Sequence, residues 1–234
     1  MSTATIETRD GAQMGGHLSL PEAGEGPGLL VLMEIFGVGS YIRRATERLA
    51  ELGYVALAPD LYRRIAPGLE LEHDQDGLTR AMETMERFDP QGAVEDSLAA
   101  LADLRKRPET AGHKVGVLGF CLGGNLAYHV AVAGDPDVAV CYYGSRIADA
   151  LDLADQIACL VLLHFGAEDE YIPLADAERV CAMAGEHPGW ACHIHPDGGH
   201  AFDNHDAPMF FRPEAAARAW EITTEFLARH LGHA

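Results

Sequence analysis

A cysteine in a glycine-rich turn is the residue of this chain with the clearest chemical setting. Gly119 and Gly123 stand two positions before and two positions after Cys121. The turn joins an apolar run at 114–118, predicted as a buried strand, to a segment with apolar residues every four positions, predicted as a helix. Glycines allow a sharp, strained turn, and the start of a helix favours both a thiolate and a developing oxyanion. We therefore predict that Cys121 is a nucleophile; the other interpretation is a small buried hydrophobic residue.

An acidic loop and a histidine follow this cysteine along the chain. Three adjacent carboxylates, Glu168, Asp169 and Glu170, precede a Gly-Gly-His stretch that ends at His200. Nucleophile, acid and histidine in this order are typical of α/β-hydrolases, whose nucleophile also has glycines two positions to either side. In such a set the cysteine attacks an acyl carbon, the histidine takes or holds the proton, and the acid orients the imidazole. The residues alone leave the choice among the three acids open.

Five stretches of the chain resemble the dienelactone hydrolases. They are Glu-Ile-Phe-Gly-Val at 34–38, Ala-Pro-Asp-Leu-Tyr at 58–62, Gly-Phe-Cys-Leu-Gly-Gly at 119–124, Tyr-Tyr-Gly at 142–144 and Gly-Gly-His-Ala-Phe at 198–202. The resemblance implies an α/β-hydrolase fold, with a mostly parallel central sheet flanked by helices on both faces. It also implies cysteine-dependent hydrolysis of carboxylic esters or lactones, without a cofactor. It places the acid at Asp169, and it makes Glu34 the glutamate that contacts the cysteine and helps to govern its ionisation.

The remaining site predictions concern the oxyanion and the pocket. Two backbone N–H groups are needed to hold an oxyanion, and we expect them at Leu122, after the nucleophile, and at Ile35, after the strand that ends at Glu34. Four side chains beside these motifs or on the segment 63–88 are candidate pocket walls, although core packing explains them at least as well: Phe36, Met82, Tyr143 and Phe202.

In one respect the chain departs from the family pattern. In the dienelactone hydrolases two arginines hold a substrate carboxylate, and Leu78 and Asn204 stand at those positions here. Arg80 lies near the first position, but it would project about 200° around a helix from Leu78, because each residue turns the helix by ~100°. We therefore expect a preference for neutral esters or lactones.

Apolar segments alternate with helical patterns through most of the chain. A hairpin is predicted at 4–8 and 15–20, and further strands are predicted at 28–33, 54–58, 114–118, 138–142, 159–164 and 190–195. Helices are predicted from Ser40, from Asp89-Pro90, after Cys121 and from Pro213. This alternation predicts a mostly parallel sheet within a single domain that spans 1–234.

A polar segment at 63–88 interrupts the alternation. Its Leu78, Met82 and Met85 recur at helical spacing, which is more typical of a core face than of a ligand site. Segments at this place in the fold often roof the pocket, and 63–88 is therefore a candidate pocket cover.

Composition limits the partners that we expect. The 234 residues carry a net charge of −19, and the lysines are Lys106 and Lys114, which argues against nucleic acid or an anionic membrane surface as a partner. No stretch approaches the ~18 apolar residues of a membrane span. The first residues lack the basic and apolar regions of a signal peptide. We expect a soluble, cytoplasmic protein that binds a small-molecule ester or lactone.

The other cysteines and histidines give weaker signals. The five cysteines are an odd number without Cys-x-x-Cys spacing, which favours reduced thiols over disulfides or a zinc site. His193 and His195 would share one face of a strand, but no further ligand joins them, and we expect no metal site. Two other functions stay open, a thiol-redox protein in which Cys141 lies near Cys121 and a non-catalytic binding domain.

Overall fold

The computed structural model describes residues 2–232 and contains an eight-stranded sheet. The strands are β1 (Ser2–Glu7), β2 (Gln13–Ser19), β3 (Gly28–Leu32), β4 (Val55–Pro59), β5 (Val115–Phe120), β6 (Val138–Tyr142), β7 (Leu160–Gly166) and β8 (Ala191–His195). Across the sheet their order is β1-β2-β4-β3-β5-β6-β7-β8. The pairs β1/β2 and β2/β4 are antiparallel and the other neighbours are parallel. The predicted hairpin and mostly parallel sheet are confirmed.

Within residues 2–232, six α-helices accompany these strands. They are α1 (Ser40–Glu51), α2 (Gln75–Met85), α3 (Pro90–Lys106), α4 (Leu122–Ala133), α5 (Leu174–Glu186) and α6 (Pro213–His230). Short 3-10 turns lie at Pro108–Thr110, Ile147–Asp149 and Leu151–Gln156. The predicted Asp89-Pro90 start is confirmed, because the Asp89 side chain accepts a hydrogen bond from the N–H of Gln91 and Pro90 opens α3.

Helices cover both faces of the sheet, as glycines of the central strand β5 show. A Cβ atom at Gly119 would overlap the backbone of Gly123 in α4, whereas one at Gly116 would lie 3.3 Å from Leu231, just past α6. Residues three positions apart on a strand face opposite sides of a sheet. The helices α4 and α6 therefore lie on opposite faces, and every residue of β3 to β6 is buried between the two layers.

The prediction that Met82 lies on a buried apolar helix face in the segment 63–88 is wrong. The helix α2 turns Gly77 and Ala81 toward the protein, where both are buried, and leaves Met82 57% exposed. A Cβ atom at Gly77 would overlap the carbonyl of Glu72, so glycine is required for this close approach. Small residues four positions apart therefore make the contact face in place of a methionine.

The expectation that all cysteines are reduced is also wrong. Cys181 in α5 and Cys192 in β8 form a disulfide, with their Cα atoms 5.1 Å apart, whereas Cys121, Cys141 and Cys159 are free thiols. The packing of α5 against the edge strand β8 brings these two cysteines within bonding distance. Their spacing of 11 residues carries no motif, so only this tertiary contact reveals the pair.

Two broader predictions are only partly addressed by the fold. Among residues 2–232, no helix is long and apolar enough to span a membrane. That the chain forms a single domain, with the segment 63–88 covering the pocket, stays a prediction.

Candidate active site

The turn between β5 and α4 holds Cys121 in a strained conformation. Cys121 has φ 54° and ψ −114° and stands at the N-terminal cap of α4. A side chain at Gly119 would overlap Gly123, and a side chain at Gly123 would overlap the carbonyl of Leu32, so both glycines are needed for the turn to close. A non-glycine residue at positive φ costs about 1–3 kcal/mol, and such strain persists where the surrounding structure fixes it. The sharp turn predicted from the glycine spacing is present.

A chain of two hydrogen bonds runs from this cysteine to the acidic loop. Cys121 Sγ lies 3.1 Å from His200 Nε2, and His200 Nδ1 lies 2.9 Å from Asp169 Oδ2. The second carboxylate oxygen, Asp169 Oδ1, accepts from the N–H groups of Tyr171 and Ile172 at 2.8 and 2.9 Å. The three predicted triad residues are thus brought together, although their positions are separated by 31 and 79 residues along the chain.

The electrostatic setting of His200 favours its protonated form. Burial lowers the pKa of the imidazole, but the charge of Cys121 and the hydrogen bond that His200 donates to Asp169 outweigh this effect. As a result the pKa of His200 lies well above its ordinary value. A protonated His200 is therefore favoured against the Cys121 sulfur.

The acid that contacts the histidine can now be chosen among the three carboxylates. The Asp169 side chain is 1% exposed, whereas Glu168 and Glu170 are exposed. Because strand β7 ends at Gly166, the loop that follows points Asp169 alone toward His200.

Glu34 follows strand β3 and is almost completely buried. The β3/β5 ladder ends at the pair Leu32 and Gly119, two residues before Glu34 and two residues before Cys121. Glu34 is 2% exposed, and its Oε2 accepts a hydrogen bond of 2.7 Å from Asn204 Nδ2. The hydrogen bond of the thiol goes to His200, and the contact of Glu34 with the cysteine, expected from the resemblance, stays a prediction.

The two predicted oxyanion donors flank this region. Leu122 is the first residue of α4, and the N–H groups of the first helical turn have no acceptor inside the helix. The carbonyl of Ile35 accepts a hydrogen bond of 2.7 Å from the Tyr62 hydroxyl, which fixes the loop after β3. Their role as an oxyanion hole stays a prediction.

The four candidate wall residues have different surroundings. The Phe36 ring packs 4.3 Å from the ring of His73, and the fully buried Tyr143 ring lies 5.5 Å from His200. Phe202 is fully buried and packs 5.1 Å from Tyr143 in the core. Met82 lies on the exposed side of α2, apart from this buried group.

A groove of about 790 Å³ runs along α4 from Leu122 and Met85. Apolar side chains make most of its lining, and Arg146, Asp149 and Asp152 supply charged groups. The groove adjoins the nucleophile turn through Leu122, and Cys121, His200 and Asp169 do not line it.

Several polar residues near the site were missed by sequence reasoning. The buried Asp203 accepts a hydrogen bond of 2.9 Å from the Tyr41 hydroxyl, and burial raises the pKa of Asp203 to about 6 despite the nearby Arg48. His73 Nε2 lies 3.5 Å from Glu34 Oε2. No local pattern marks these residues, and only the position of Asp203 three residues after His200 was a hint.

The histidines considered as metal ligands make other contacts. His195 Nε2 lies 3.1 Å from Nδ1 of the buried His164, whose Nε2 lies 3.1 Å from the Thr223 hydroxyl. Burial lowers the pKa of His164 and of His195, the latter to about 4. Within the described part of the chain, no three His, Cys, Asp or Glu side chains form a cluster suited to a metal ion.

Comparisons with known proteins indicate the family to which the chain belongs. The model of the dienelactone hydrolase family matches residues 14–231. A carboxymethylenebutenolidase of Pseudomonas putida is 33% identical over 225 residues, which cover 96% of this chain and 94% of that protein. A carboxymethylenebutenolidase of a further Pseudomonas strain is 36% identical over 227 residues, again covering 96% of this chain and 94% of the relative. The solved structure of a Klebsiella pneumoniae protein assigned as a dienelactone hydrolase has a TM-score of 0.84 at 26% identity and covers 97% of this chain and 98% of that chain. The chain therefore belongs to the dienelactone hydrolase family and is an ester or lactone hydrolase.

Proposed function

We propose that the protein hydrolyses carboxylic esters or lactones through a triad of Cys121, His200 and Asp169. The observation that carries this proposal is the continuous pair of hydrogen bonds, 3.1 Å from the thiol to His200 and 2.9 Å from His200 to Asp169. The Pseudomonas relatives are named carboxymethylenebutenolidases, which supports a lactone or ester as the substrate class.

The first half of the reaction forms a thioester on Cys121. The thiolate attacks the acyl carbon, so that a C–S bond forms and the carbonyl electron pair moves onto oxygen. The N–H groups of Leu122 and Ile35 hold this oxyanion. When the intermediate collapses, the ester C–O bond breaks and His200 gives its proton to the departing alkoxide. In a lactone the alkoxide stays tethered to the acyl group.

The second half of the reaction releases the acid. Water attacks the thioester while His200, now neutral, takes a proton from it. Collapse of the second oxyanion breaks the C–S bond and restores the thiolate beside a protonated His200. Asp169 holds His200 Nδ1 through both halves and stabilises the charged imidazole.

The decisive test replaces the nucleophile. Cys121→Ala should lower kcat/KM for p-nitrophenyl esters and simple lactones by about a thousandfold or more, because the covalent route is lost. Cys159→Ala is the matched control, since Cys159 is also a partly exposed free thiol and lies outside the turn. Wild-type turnover in the Cys121 variant would refute the proposal.

A thiol-redox function is the second candidate, and the surroundings of Cys141 disfavour it. Cys141 in β6 pairs with Gly119 but is fully buried, and burial raises the pKa of its thiol. A resolving cysteine must reach the oxidised thiol and ionise readily, which such a site opposes. Two assays separate these functions: titration of thiols during peroxide treatment, and ester hydrolysis measured with and without a thiol-alkylating agent. A non-catalytic binding domain would show neither peroxide-dependent thiol loss nor ester hydrolysis.

We also propose that the chain forms a single domain in which the segment 63–88 covers the pocket. Support comes from the antiparallel bridge between Gly37 and Glu70, which ties this segment to the loop after β3. The cytoplasmic location stays a prediction, and the disulfide between Cys181 and Cys192 is unusual for a reducing compartment.

A further inference from the structure

Glu34 is a buried carboxylate whose hydrogen-bond partner leaves its charge unbalanced. Asn204 donates to Oε2, but an amide is neutral, and Oε1 is buried without a partner among residues 2–232. A carboxylate out of contact with water is strongly disfavoured unless a positive charge lies nearby. The structure therefore has to supply a cation, or Glu34 has to take up a proton.

His73 is placed to supply that positive charge. Its Nε2 lies 3.5 Å from Glu34 Oε2, and its side chain is 6% exposed. This separation is long for a hydrogen bond, so a protonated His73 acts on Glu34 mainly through its charge. The ring is fixed by packing, 4.3 Å from Phe36 and 6.3 Å edge-on from Tyr41.

The chain around His73 is anchored to the loop that carries the predicted oxyanion donor. The N–H of Leu71 donates to the carbonyl of Phe36 at 3.0 Å, and Gly37 forms an antiparallel bridge with Glu70. Gly37 has φ 83°, and a Cβ atom there would overlap the carbonyl of Leu69. This close pairing, which glycine permits, sets the position of His73 relative to Glu34.

Three other groups on which the charge of Glu34 acts, Asp203, Tyr41 and Tyr143, are acidic or stay neutral. Asp203 adds a second buried carboxyl group, and Arg48 lies 3.5 Å from Asp203. Burial raises the pKa of Tyr41 and of Tyr143 well above the ordinary value, so both hydroxyls stay neutral. Among these groups, His73 is the side chain that can balance Glu34 at close range.

We propose that His73 is a positioning residue that balances the charge of Glu34 and so sets how readily Cys121 ionises. The inference rests on the proposed role of Cys121 as the nucleophile. The β3/β5 ladder ends two residues before Glu34 and two residues before Cys121, and the charges of both groups act on the buried Tyr143 hydroxyl, so the two side chains belong to the same buried region. An unbalanced carboxylate in this region repels a thiolate, whereas a carboxylate paired with a protonated His73 does not.

Alkylation of Cys121 by iodoacetamide, followed against pH by mass spectrometry of the Cys121 peptide, tests the inference. His73→Gln keeps an amide donor of similar reach but removes the charge. We expect the midpoint of the alkylation profile to rise by about 0.5–1 pH unit, which means about 3- to 10-fold slower alkylation below both midpoints. In a Glu34→Gln background the same substitution should change nothing further, since no carboxylate is then left for His73 to balance.

Two further variants make the result decisive. His193→Gln, on the edge strand β8, is the matched control and should leave the profile unchanged. His73→Asn also removes the charge and replaces the glutamine variant if that variant fails to fold, whereas His73→Lys keeps a positive charge and should not raise the midpoint. A His73→Gln profile that superimposes on the wild type, or an equal shift in the Glu34→Gln background, would overturn the inference. Thiol alkylation is read without any ester, so failure here is distinct from failure of Cys121→Ala to abolish hydrolysis.

Discussion

Replacing Asp169 by asparagine separates the charge of this carboxylate from its contacts with the backbone. Asp169 Oδ1 accepts from the N–H groups of Tyr171 and Ile172, and the side-chain oxygen of asparagine can keep both bonds. The amide NH2 group then replaces Oδ2 opposite His200 Nδ1, at a position 2.9 Å away. The variant should therefore fold normally but lose the charge-assisted contact with the imidazole.

The size of the effect follows from that single contact. A hydrogen bond to a charged group contributes about 1.5–3 kcal/mol. This corresponds to about 10- to 150-fold in kcat/KM. Asp169 also helps to raise the pKa of His200, so its neutralisation lowers that pKa. Protonated His200 is then lost at a lower pH, and the basic limb of the kcat/KM profile should move to lower pH.

The assay compares kcat/KM for a p-nitrophenyl ester against pH in three variants. Glu168→Gln and Glu170→Gln remove the same charge from exposed neighbours and should stay within about twofold of the wild type. Thermal unfolding verifies that Asp169→Asn keeps its fold. A kcat/KM within twofold of the wild type and an unshifted basic limb in this variant, or equal losses in the two controls, would refute the assignment of the acid.

Two further predictions concern the substrate and the disulfide. A neutral methyl ester of a dienelactone should be hydrolysed with at least ~10-fold higher kcat/KM than the free carboxylate. The reason is that Leu78 and Asn204 offer no cation to the carboxylate, and each missing charge-assisted bond costs ~1.5–3 kcal/mol. A higher kcat/KM for the carboxylate would contradict this prediction. Cys181→Ala should lower the free energy of unfolding in urea by about 3 kcal/mol, because the bridge to Cys192 closes a short loop and so restricts the unfolded chain. The value of kcat/KM should be unchanged. Equal unfolding curves for the two proteins would show that the bridge contributes nothing.

The sequence was sufficient where the chemistry is encoded in neighbouring residues. The turn around Cys121 could be predicted because Gly119 and Gly123 stand at fixed positions next to the cysteine, although Gly123 is also required by the close approach of Leu32 in β3. The parallel sheet could be predicted because its strands are buried on both faces and are therefore apolar throughout. Asp169 could not be chosen from residues alone, since two other carboxylates flank it and the difference between them is their orientation relative to His200.

The residues that support the site could not be predicted, because tertiary contacts define them. Glu34 meets Asn204 across 170 positions of the chain, and it meets His73 only because a bridge at Gly37 fixes the segment 63–88. None of these pairs leaves a periodic or spaced pattern in the sequence. A chain can therefore keep the nucleophile turn and the order of the triad while the surroundings of its buried glutamate change. Positions 73 and 204 determine which side chains face Glu34. For this reason the residues at these two positions should predict substrate preference better than the motif around Cys121 does.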